Sequence, residues 1–294
     1  MKIGFLGFGE AAYSISLGLK QNGIADISAY DAMEDCGEFG QLVRKRAQES
    51  GVVLKSRPCE VVKEAELLFA AVPSSNTVGL CESICNDLRP GQLYVDVSAS
   101  TPESKKKIGD MLNKTGALFT DAAMMGSLPQ DKHRVPIFAS GDGAKVFRKL
   151  MEPYGMRITC VDGGAGAASA IKLIRSIYMK GIAALMIEML QAADAYQVAD
   201  EVVQSIGKSM DGIAFSEHLD RLVIGTAIHA QRRSKELDGS KQMLRECNLD
   251  DSMTCASKKK HELMAELDFP SRYLLKVPQN WQEIISDMRR KENI

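Results

Sequence analysis

Residues 2–12 read KIGFLGFGEAA, in which a short apolar run leads into the pattern Gly7-x-Gly9-x-x-Ala12. The run has the length of a buried strand, and an amphipathic helix is expected directly after it. Gly7 permits a tight turn, Gly9 has no side chain to block a pyrophosphate, and Ala12 lets the helix lie close to the strand. The free N–H groups at the helix start would then point at the anion. The stretch therefore predicts the phosphate-binding turn of a dinucleotide fold.

An acidic residue follows the next predicted strand. That strand is expected over residues 26–30, and Asp31 comes directly after it, 24 positions beyond Gly7. A carboxylate in this place can accept hydrogen bonds from ribose hydroxyls and would repel a 2′-phosphate. Because Ala32 and Met33 supply no compensating cation, we expect NAD rather than NADP, with NADP left open. The cofactor contacts expected from these two features are Gly7, Phe8, Gly9, Glu10, Ala11, Ala12 and Asp31.

Strand-like and helix-like segments alternate along the first half of the chain. This alternation predicts an α/β fold, a Rossmann-type doubly wound parallel sheet with helices on both faces. Strand signals then largely stop, and helices are expected over residues 167–197, 212–230 and 232–247, among others. We therefore expect a dinucleotide-binding domain over residues 1–163, followed by an all-α domain for substrate binding and dimerisation over residues 164–294.

The composition limits the classes of function. The chain has 294 residues, of which 45% are hydrophobic and 26% charged, as in ordinary globular proteins. A net charge of −1 gives no positive excess to favour nucleic acid or an anionic membrane, and no apolar run has the length of a membrane span. We recognise no signal peptide. The seven cysteines lack zinc-like spacing, so we expect no metal site and the reduced thiols of a cytoplasmic protein.

Lys172 is the candidate for proton transfer. It lies in the first turns of an otherwise apolar helix, after a glycine-rich turn at residues 163–166, and Arg175 and Ser176 share its face. A lysine partly removed from water and close to another cation has a lowered pKa, so it can exchange a proton with a substrate hydroxyl. The alternative is a surface lysine whose stem packs while its amine stays in water. Composition alone leaves both interpretations open.

Hydroxyl groups and a lysine run follow another predicted strand. Ser98 comes just after that strand, where its hydroxyl could meet a substrate, and Ser100 or Thr101 can cap the helix that follows. The lysine runs at residues 105–107 and 258–260 are expected to lie on solvated helix faces.

The sequence resembles the β-hydroxyacid dehydrogenase superfamily, a group that includes 6-phosphogluconate dehydrogenase and 3-hydroxyisobutyrate dehydrogenase. Four regions carry the resemblance, namely residues 7–12, 96–102, 121–127 and 164–176. The helical half is similar to a branch of 6-phosphogluconate dehydrogenase-like proteins with a short helical carboxyl-terminal domain. It does not resemble the long carboxyl-terminal domain of true 6-phosphogluconate dehydrogenase, so oxidation of that sugar phosphate is not expected.

The resemblance implies roles for individual residues. Lys172 falls on the family's lysine, which makes it the general acid/base, and Ser98 takes the place of the substrate-binding serine. Val72, Pro73 and Ser74 match the loop after the fourth strand, which implies contact with the nicotinamide half of the cofactor.

Two departures from the family pattern concern the substrate. The segment usually written D-A-P-V-S-G-G reads DAAMMGS here, so Met125 replaces one polar contact while Gly126 keeps its place. Ser176 stands where the family has an asparagine, and Arg175 precedes it. The expected substrate contacts are therefore Ser98, Gly126, Ser176 and Arg175, with Arg175 either pairing with an acidic group or lying on the helix surface.

Together these features predict an NAD(P)-dependent dehydrogenase or reductase acting on a small 3-hydroxy acid or its oxo partner. Lys172 would exchange the hydroxyl proton while hydride moves to or from the nicotinamide. An imine reductase is the alternative within enzymes. A dinucleotide-binding sensor without turnover is the alternative outside them, motivated by Met125 and Ser176.

The helical half offers weaker signals. Residues 181–193 are mostly apolar and small, so we expect this stretch to be buried and to form a homodimer. Four polar residues there are candidates for substrate contact, or else ordinary surface residues: Arg221, His229, Arg232 and Arg233.

Overall fold

The computed structural model of the chain describes residues 1–274 and 277–292. The chain forms two compact units, the sheet unit (Met1–Ile177) and the helical unit (Tyr178–Ile294). The domain limits expected from the sequence, 1–163 and 164–294, stay a prediction. Within the described residues, no helix is long and apolar enough to cross a bilayer.

A single sheet organises the first unit. Its strands are β1 (Ile3–Leu6), β2 (Ile27–Tyr30), β3 (Val53–Leu54), β4 (Leu67–Ala70), β5 (Leu93–Asp96), β6 (Leu118–Met124), β7 (Pro136–Ser140) and β8 (Arg157–Cys160). They lie in the order β3-β2-β1-β4-β5-β6-β7-β8. The first six strands in this order are parallel and have the arrangement of dinucleotide-binding sheets.

The helices of the sheet unit connect these strands. They are α1 (Glu10–Gln21), α2 (Gly37–Ser50), α3 (Pro58–Glu64), α4 (Thr77–Ile84), α5 (Pro102–Asn113), α6 (Leu128–Asp131) and α7 (Ala144–Met151). A long helix, α8 (Ala167–Ala195), begins in the sheet unit and continues into the helical unit.

The strands bury side chains on both faces of the sheet. Successive residues of a strand point to opposite faces, so Phe69 packs in one hydrophobic cluster and its neighbours Leu68 and Ala70 in another. On the first face Phe69 stacks on Phe5, with ring centroids 5.0 Å apart. Helices therefore cover the sheet on both sides, as the sequence predicted, and the strands are apolar throughout.

The last two strands differ from the prediction of an all-parallel sheet. β7 runs antiparallel to β6, and β8 runs parallel to β7. Between β6 and β7 the chain forms only the four-residue helix α6 and a short 3-10 turn (Lys132–Arg134). A parallel crossover needs a connection of about a dozen residues or more, usually a full helix, so the chain returns along the neighbouring strand instead.

The helical unit contains no strand within the described residues. Its further helices are α9 (Ala199–Met210), α10 (Phe215–Glu246), α11 (Ser252–Glu266), α12 (Phe269–Arg272) and α13 (Trp281–Glu292). The two helices expected over 212–230 and 232–247 are one helix, α10, with a kink at His229, whose φ and ψ are −116° and 18°. An α/β sheet followed by an all-α region is thus confirmed.

The apolar stretch of α8 is not buried within the chain, contrary to the prediction. Leu185, Met186 and Ile187 are 43%, 51% and 60% exposed, whereas Glu188 is only 5% exposed. The Glu188 carboxylate accepts hydrogen bonds from the backbone N–H groups of Met253 and Thr254, both at 2.8 Å. The carboxylate thereby satisfies two of the free N–H groups at the start of α11, a helix whose N-cap residue forms no side-chain capping hydrogen bond.

A close contact with a histidine fixes the position of α1. A Cβ atom placed on Gly18 would lie 1.9 Å from His133 Nδ1. His133 is 4% exposed, and its Nε2 atom lies 3.1 Å from the Asn22 side-chain amide of the same helix. The imidazole ring therefore occupies the space that a side chain at residue 18 would need.

We expect Gly18→Ala to lower the free energy of unfolding by about 1–3 kcal/mol, because the added methyl group overpacks the contact with His133. Gly79→Ala in α4 is the matched control. A Cβ at Gly79 has no atom within 4 Å, so the better helix propensity of alanine should raise stability by up to about 1 kcal/mol. Chemical denaturation of both variants measures the difference, and effects of the same sign would contradict the expectation.

Candidate functional site

The glycine turn after β1 leaves open space beside the start of α1. Gly7 has a φ of +88°, a conformation that favours glycine, and a Cβ there would lie 2.5 Å from the Ala71 carbonyl oxygen. Gly9 caps α1 without a side-chain hydrogen bond, and a Cβ at Gly9 would meet no atom within 4 Å. The turn therefore fits a phosphate group held by the N–H groups of the first helical turn.

Asp31 is fixed against this turn. Its Oδ2 accepts a hydrogen bond from the Phe8 backbone N–H at 2.6 Å, and its Oδ1 accepts one from the Met33 N–H at 2.8 Å. The structure thus places the acidic residue after β2 directly beside the glycine turn. Arg44 contacts the residues that follow: it donates to the Glu34 carbonyl and lies 3.9 Å from Asp35 Oδ1.

Ser98 lies at the end of β5 and contacts the loop after β4. Its hydroxyl accepts a hydrogen bond from the Val72 N–H at 3.2 Å and donates to the Ala70 carbonyl at 3.4 Å. The Ser98 N–H donates to Asp96 Oδ1 at 2.9 Å. The structure therefore brings together one residue expected to bind cofactor, Val72, and one expected to bind substrate.

The hydroxyls after Ser98 divide the capping role. Thr101 is the N-cap of α5, and its hydroxyl accepts a hydrogen bond from the Ser104 N–H at 3.2 Å. Ser100 is 4% exposed, and its buried hydroxyl has no hydrogen-bond partner among the described residues. Of the two caps that the sequence allowed, Thr101 is the one formed.

A buried lysine joins the end of β5 to the middle of β6. Lys105 is 0% exposed, so the prediction of a solvated lysine run is wrong at this residue. Its amine donates to the Asp96 carbonyl at 3.0 Å and lies 3.0 Å from Asp96 Oδ2 and 3.5 Å from Asp121 Oδ1. Since Asp96 Oδ2 accepts no aligned hydrogen bond among the described residues, attraction between charges accounts for that contact. Lysine is almost never fully buried unless it is paired in this way.

The register of the sheet brings these polar groups into one row. Asp96 of β5 pairs with Asp121 of β6, and Asp121 pairs with Ser140 of β7. Both Asp96 and Asp121 are 0% exposed, and so is Ser140. Because paired residues on adjacent strands point to the same face, the three polar side chains converge.

This row holds the first turn of α8. Asp121 accepts two hydrogen bonds from Ser169, one from its N–H at 2.8 Å and one from its hydroxyl at 2.7 Å. The Ser140 hydroxyl accepts the Ala168 N–H at 3.0 Å. Two of the free N–H groups of the helix start are thus satisfied by side chains from the sheet, with a carboxylate placed favourably at the positive end of the helix dipole.

Lys172 follows one turn later on α8 and is half-buried. Burial lowers the pKa of Lys172 from its ordinary value of 10.5. The positive charge of Lys105 lowers this pKa further, and the negative charge of Asp121 acts in the opposite direction. The amine therefore lies within the electrostatic influence of Lys105 and Asp121, and its role in proton exchange stays a prediction.

A continuous series of contacts leads from the glycine turn to Lys105. Gly7 lies against Ala71, and the N–H of the following residue, Val72, donates to Ser98. Ser98 is in turn bonded to Asp96, which pairs with Lys105. Three other residues are predicted to contact the substrate, namely Gly126, Arg175 and Ser176. Within the described residues, neither Arg175 nor Ser176 forms a side-chain hydrogen bond or ion pair to this series, and Gly126 has no side chain.

The sequence reading missed Lys105, although a signal was present. The buried residues of α5 are Lys105, Ile108, Gly109 and Leu112. Their spacing is that of one helix face, so the first lysine of the run falls on the apolar side. A charged residue on that face, with an aspartate at each of two neighbouring strands, indicates a buried ion pair.

The candidate residues of the helical unit form contacts within that unit. Arg221 donates to the Ser209 carbonyl at 3.1 Å, and Arg233 donates to the Thr226 hydroxyl at 2.8 Å. Arg232 lies 3.2 Å from a glutamate one turn along the same helix, and His229 is exposed at the kink of α10. None of these contacts assigns a ligand.

No cluster of three or more metal-ligating side chains occurs in the described part of the chain. All seven cysteines are free. Cys81 is buried, and burial raises the pKa of its thiol to about 12, so this thiol is unreactive at neutral pH.

Two family models match the chain. Residues 2–100 match the family described as NADP oxidoreductase coenzyme F420-dependent, which covers the glycine turn, Asp31 and Ser98. Residues 193–264 match a domain of unknown function, DUF1932, which lies in the helical unit.

Known proteins share the sequence and the fold. Mouse mitochondrial 3-hydroxyisobutyrate dehydrogenase (Mus musculus) is 28% identical over 195 residues, which is 63% of this chain but only 56% of the mouse enzyme. A solved conserved protein of unknown function, described as structurally similar to 3-hydroxyacid dehydrogenases, is 28% identical with a TM-score of 0.63, covering 90% of this chain and 97% of its own. An imine reductase from Pseudomonas sp. has a TM-score of 0.69 at 15% identity, covering 92% of this chain and 95% of its own, and so shares the fold alone.

The resemblance expected from the sequence is thereby confirmed. The chain carries the NADP oxidoreductase coenzyme F420-dependent domain and the DUF1932 domain, and in sequence and fold it is a relative of the 3-hydroxyisobutyrate dehydrogenase-like hydroxyacid dehydrogenases with a helical carboxyl-terminal domain.

Proposed function

We propose that this chain is an NAD(P)-dependent oxidoreductase that interconverts a small hydroxy acid and its oxo partner. The observation that carries the proposal is the series of contacts that runs from the glycine turn past the carboxyl ends of β4 and β5 to Asp121 of β6, together with the lowered pKa of Lys172. Ligands of open α/β sheets bind at these strand ends, so cofactor and proton-transfer group would meet there. The mouse relative, named as a 3-hydroxyisobutyrate dehydrogenase, supports a 3-hydroxy acid.

Lys172 is the acid/base in this proposal. When bound, the nicotinamide accepts or supplies the hydride. In the oxidation direction, the neutral Lys172 amine removes the hydroxyl proton; in the reduction direction, the ammonium form returns it. A lowered pKa increases the fraction of neutral amine near physiological pH, because burial and the charge of Lys105 both disfavour the ammonium form.

Substrate binding is assigned to Ser98, Gly126, Arg175 and Ser176. Arg175 is exposed and has no acidic partner within 4 Å among the described residues, which supports pairing with a substrate carboxylate. The Ser98 hydroxyl uses one lone pair on the Val72 N–H and retains a second for a ligand. Gly126 lies at the end of β6, where a Cβ would come within 2.8 Å of Asp131 Oδ2.

Imine reduction is the second candidate function, and the fold shared with an imine reductase favours it. A hydroxyl substrate is preferred here because its proton must be exchanged, and Lys172 provides a group for that step. A sensor without turnover would need the same cofactor turn but no proton-transfer group.

NAD is the proposed cofactor, with NADP as the alternative. Three acidic residues, Asp31, Glu34 and Asp35, follow β2, and Arg44 is already engaged with the Glu34 carbonyl and the Asp35 carboxylate. This excess of negative charge favours ribose hydroxyls over a 2′-phosphate. The family description of residues 2–100 names NADP, which keeps the alternative in the test.

A homodimer is proposed from the exposed apolar face of the helical unit. Apolar residues of α8 and α9, including Leu185, Met186, Val203 and Ile206, line a groove of about 1020 Å³. These four side chains are 43–52% exposed in the single chain. Exposed apolar patches of this kind are typical of protein–protein contacts, and a second copy would bury the same face of each chain.

Lys172→Met should lower turnover by about 10²–10⁴-fold, the usual contribution of general acid–base catalysis, with dinucleotide binding unchanged. Nicotinamide absorbance is followed with NAD or NADP and a panel of hydroxy acids, oxo acids and imines. Lys180→Met, an exposed lysine of the same helix, is the control and should retain full activity. Turnover that survives Lys172→Met would exclude the assigned role, and binding without any turnover would support the sensor.

NADH should bind at least about tenfold more tightly than NADPH, because Asp31 repels the 2′-phosphate. Asp31→Asn should reduce this ratio. Any change in the Phe8 contact affects the binding of both cofactors alike. The ratio of the NADH and NADPH affinities therefore reports only the interaction of residue 31 with the ribose 2′ position. Fluorescence titration measures both affinities, with Asp110→Asn, which changes an exposed aspartate of α5, as control. A preference for NADPH in the unmodified protein would overturn the assignment of NAD.

Sedimentation at micromolar concentration should show a dimer, and Met186→Asp/Ile187→Lys should convert it to a monomer, because charges on the apolar face oppose its burial. Phe39→Lys changes a side chain of the sheet unit that is 67% exposed and should leave the dimer intact. An unmodified protein that sediments only as a monomer would remove the proposal.

A further inference from the structure

The charges around Lys105 are unequal in number. One buried ammonium group faces two buried carboxylates, Asp96 and Asp121, at 3.0 Å and 3.5 Å. All three residues are 0% exposed, so no water screens these charges. The group of three carries one excess negative charge when all its members are ionised.

Asp121 serves Lys105 and α8 with the same carboxylate. Its Oδ1 receives both the Lys105 contact and the Ser169 hydroxyl, and its Oδ2 receives the Ser169 N–H. Lys172 lies three residues beyond Ser169, almost one helical turn. By holding Asp121, the Lys105 side chain therefore also helps to fix the turn of α8 that carries Lys172.

We propose that Lys105 is a positioning residue for proton transfer by Lys172. It holds the Asp121 carboxylate under the first turn of α8, and its positive charge offsets the attraction of that carboxylate for the protonated Lys172 amine. This inference rests on the proposed function of Lys172. Lys105 itself touches no substrate and acts only through Asp121 and through its electric field.

The sign of each electrostatic effect on Lys172 follows from the charge of the group that exerts it. The charged groups that act on Lys172 are Lys105 from α5 and Asp121 from β6, while Arg175 of its own helix is exposed. The charge of Lys105 lowers the pKa of Lys172, and the charge of Asp121 raises it. Removing Lys105 leaves Asp121 uncompensated and increases the attraction for a proton on Lys172, whereas removing the charge of Asp121 has the opposite effect.

The direct test measures the protonation of Lys172 in the protein without cofactor or substrate. Acetic anhydride reacts with the neutral amine, so the rate of acetylation of Lys172 against pH, followed by mass spectrometry of its peptide, gives the midpoint of its titration. We expect Lys105→Met to raise this midpoint by about one pH unit or more, and Asp121→Asn to lower it. The control Lys106→Met removes the same charge from an exposed neighbour and should leave the midpoint unchanged.

Ser169→Ala separates the position of the Asp121 carboxylate under α8 from the electrostatic effect on Lys172. It removes one hydrogen bond to Asp121 but no charge, so the midpoint should stay while turnover falls several-fold. Where Lys105→Met does not fold, Asp121→Asn and the double variant Lys105→Met/Asp121→Asn, which removes one charge of each sign, give the same comparison. A midpoint that fails to move in opposite directions on loss of the two charges would overturn the inference.

Failure of this inference is distinguishable from failure of the proposed function. If Lys172→Met keeps full turnover while the midpoint moves as expected, the electrostatic link stands and the catalytic role is wrong. If Lys172→Met abolishes turnover while Lys105→Met leaves both the midpoint and the pH–rate profile in place, the catalytic role stands and Lys105 is only structural.

Discussion

The ammonium group of Lys105, buried between Asp96 and Asp121, is the contact on which the site depends. Removing a charge from water costs several kcal/mol, and the cost is offset only if partners with good geometry surround it. Here the partners lie on two adjacent strands, Asp96 at the end of β5 and Asp121 in the middle of β6, and α8 is bonded to Asp121 through Ser169. The contacts of these three charged side chains therefore join α5, β5, β6 and the start of α8.

The cofactor turn is fixed by backbone geometry rather than by charge. Gly7 adopts a positive φ against the loop after β4, and the Phe8 N–H is held by Asp31. These contacts are made within the chain itself and fix the shape of the turn. Pre-organisation of this kind lowers the entropic cost of binding. Ser98 then links the loop after β4 to the end of β5, next to the buried charges.

The sequence predicts the architecture well because periodicity and turn residues are local signals. The strands, the long helix α8 and the change to an all-α region follow from such signals, whereas the resemblance rests on four matched segments of sequence. The reversal of β7 does not, since it depends on the length of a connection whose helix has only four residues. Lys105 was missed because its neighbours in sequence are two exposed lysines, while its partners lie 9 and 16 positions away in the chain. The exposed apolar face of α8 was misjudged because Glu188 takes the buried position.

The reversed direction of β7 has a geometric consequence at the start of α8. In this orientation the last residue of β7, Ser140, stands opposite Asp121 in the middle of β6. Two acceptors from neighbouring strands therefore stand side by side, and consecutive amides of one helix, those of Ala168 and Ser169, can reach both. A slip of one residue in the β6–β7 pairing would turn Ser140 to the far face of the sheet and leave one of these amides without its acceptor. The register of the antiparallel β6–β7 pair thus determines where the long helix begins.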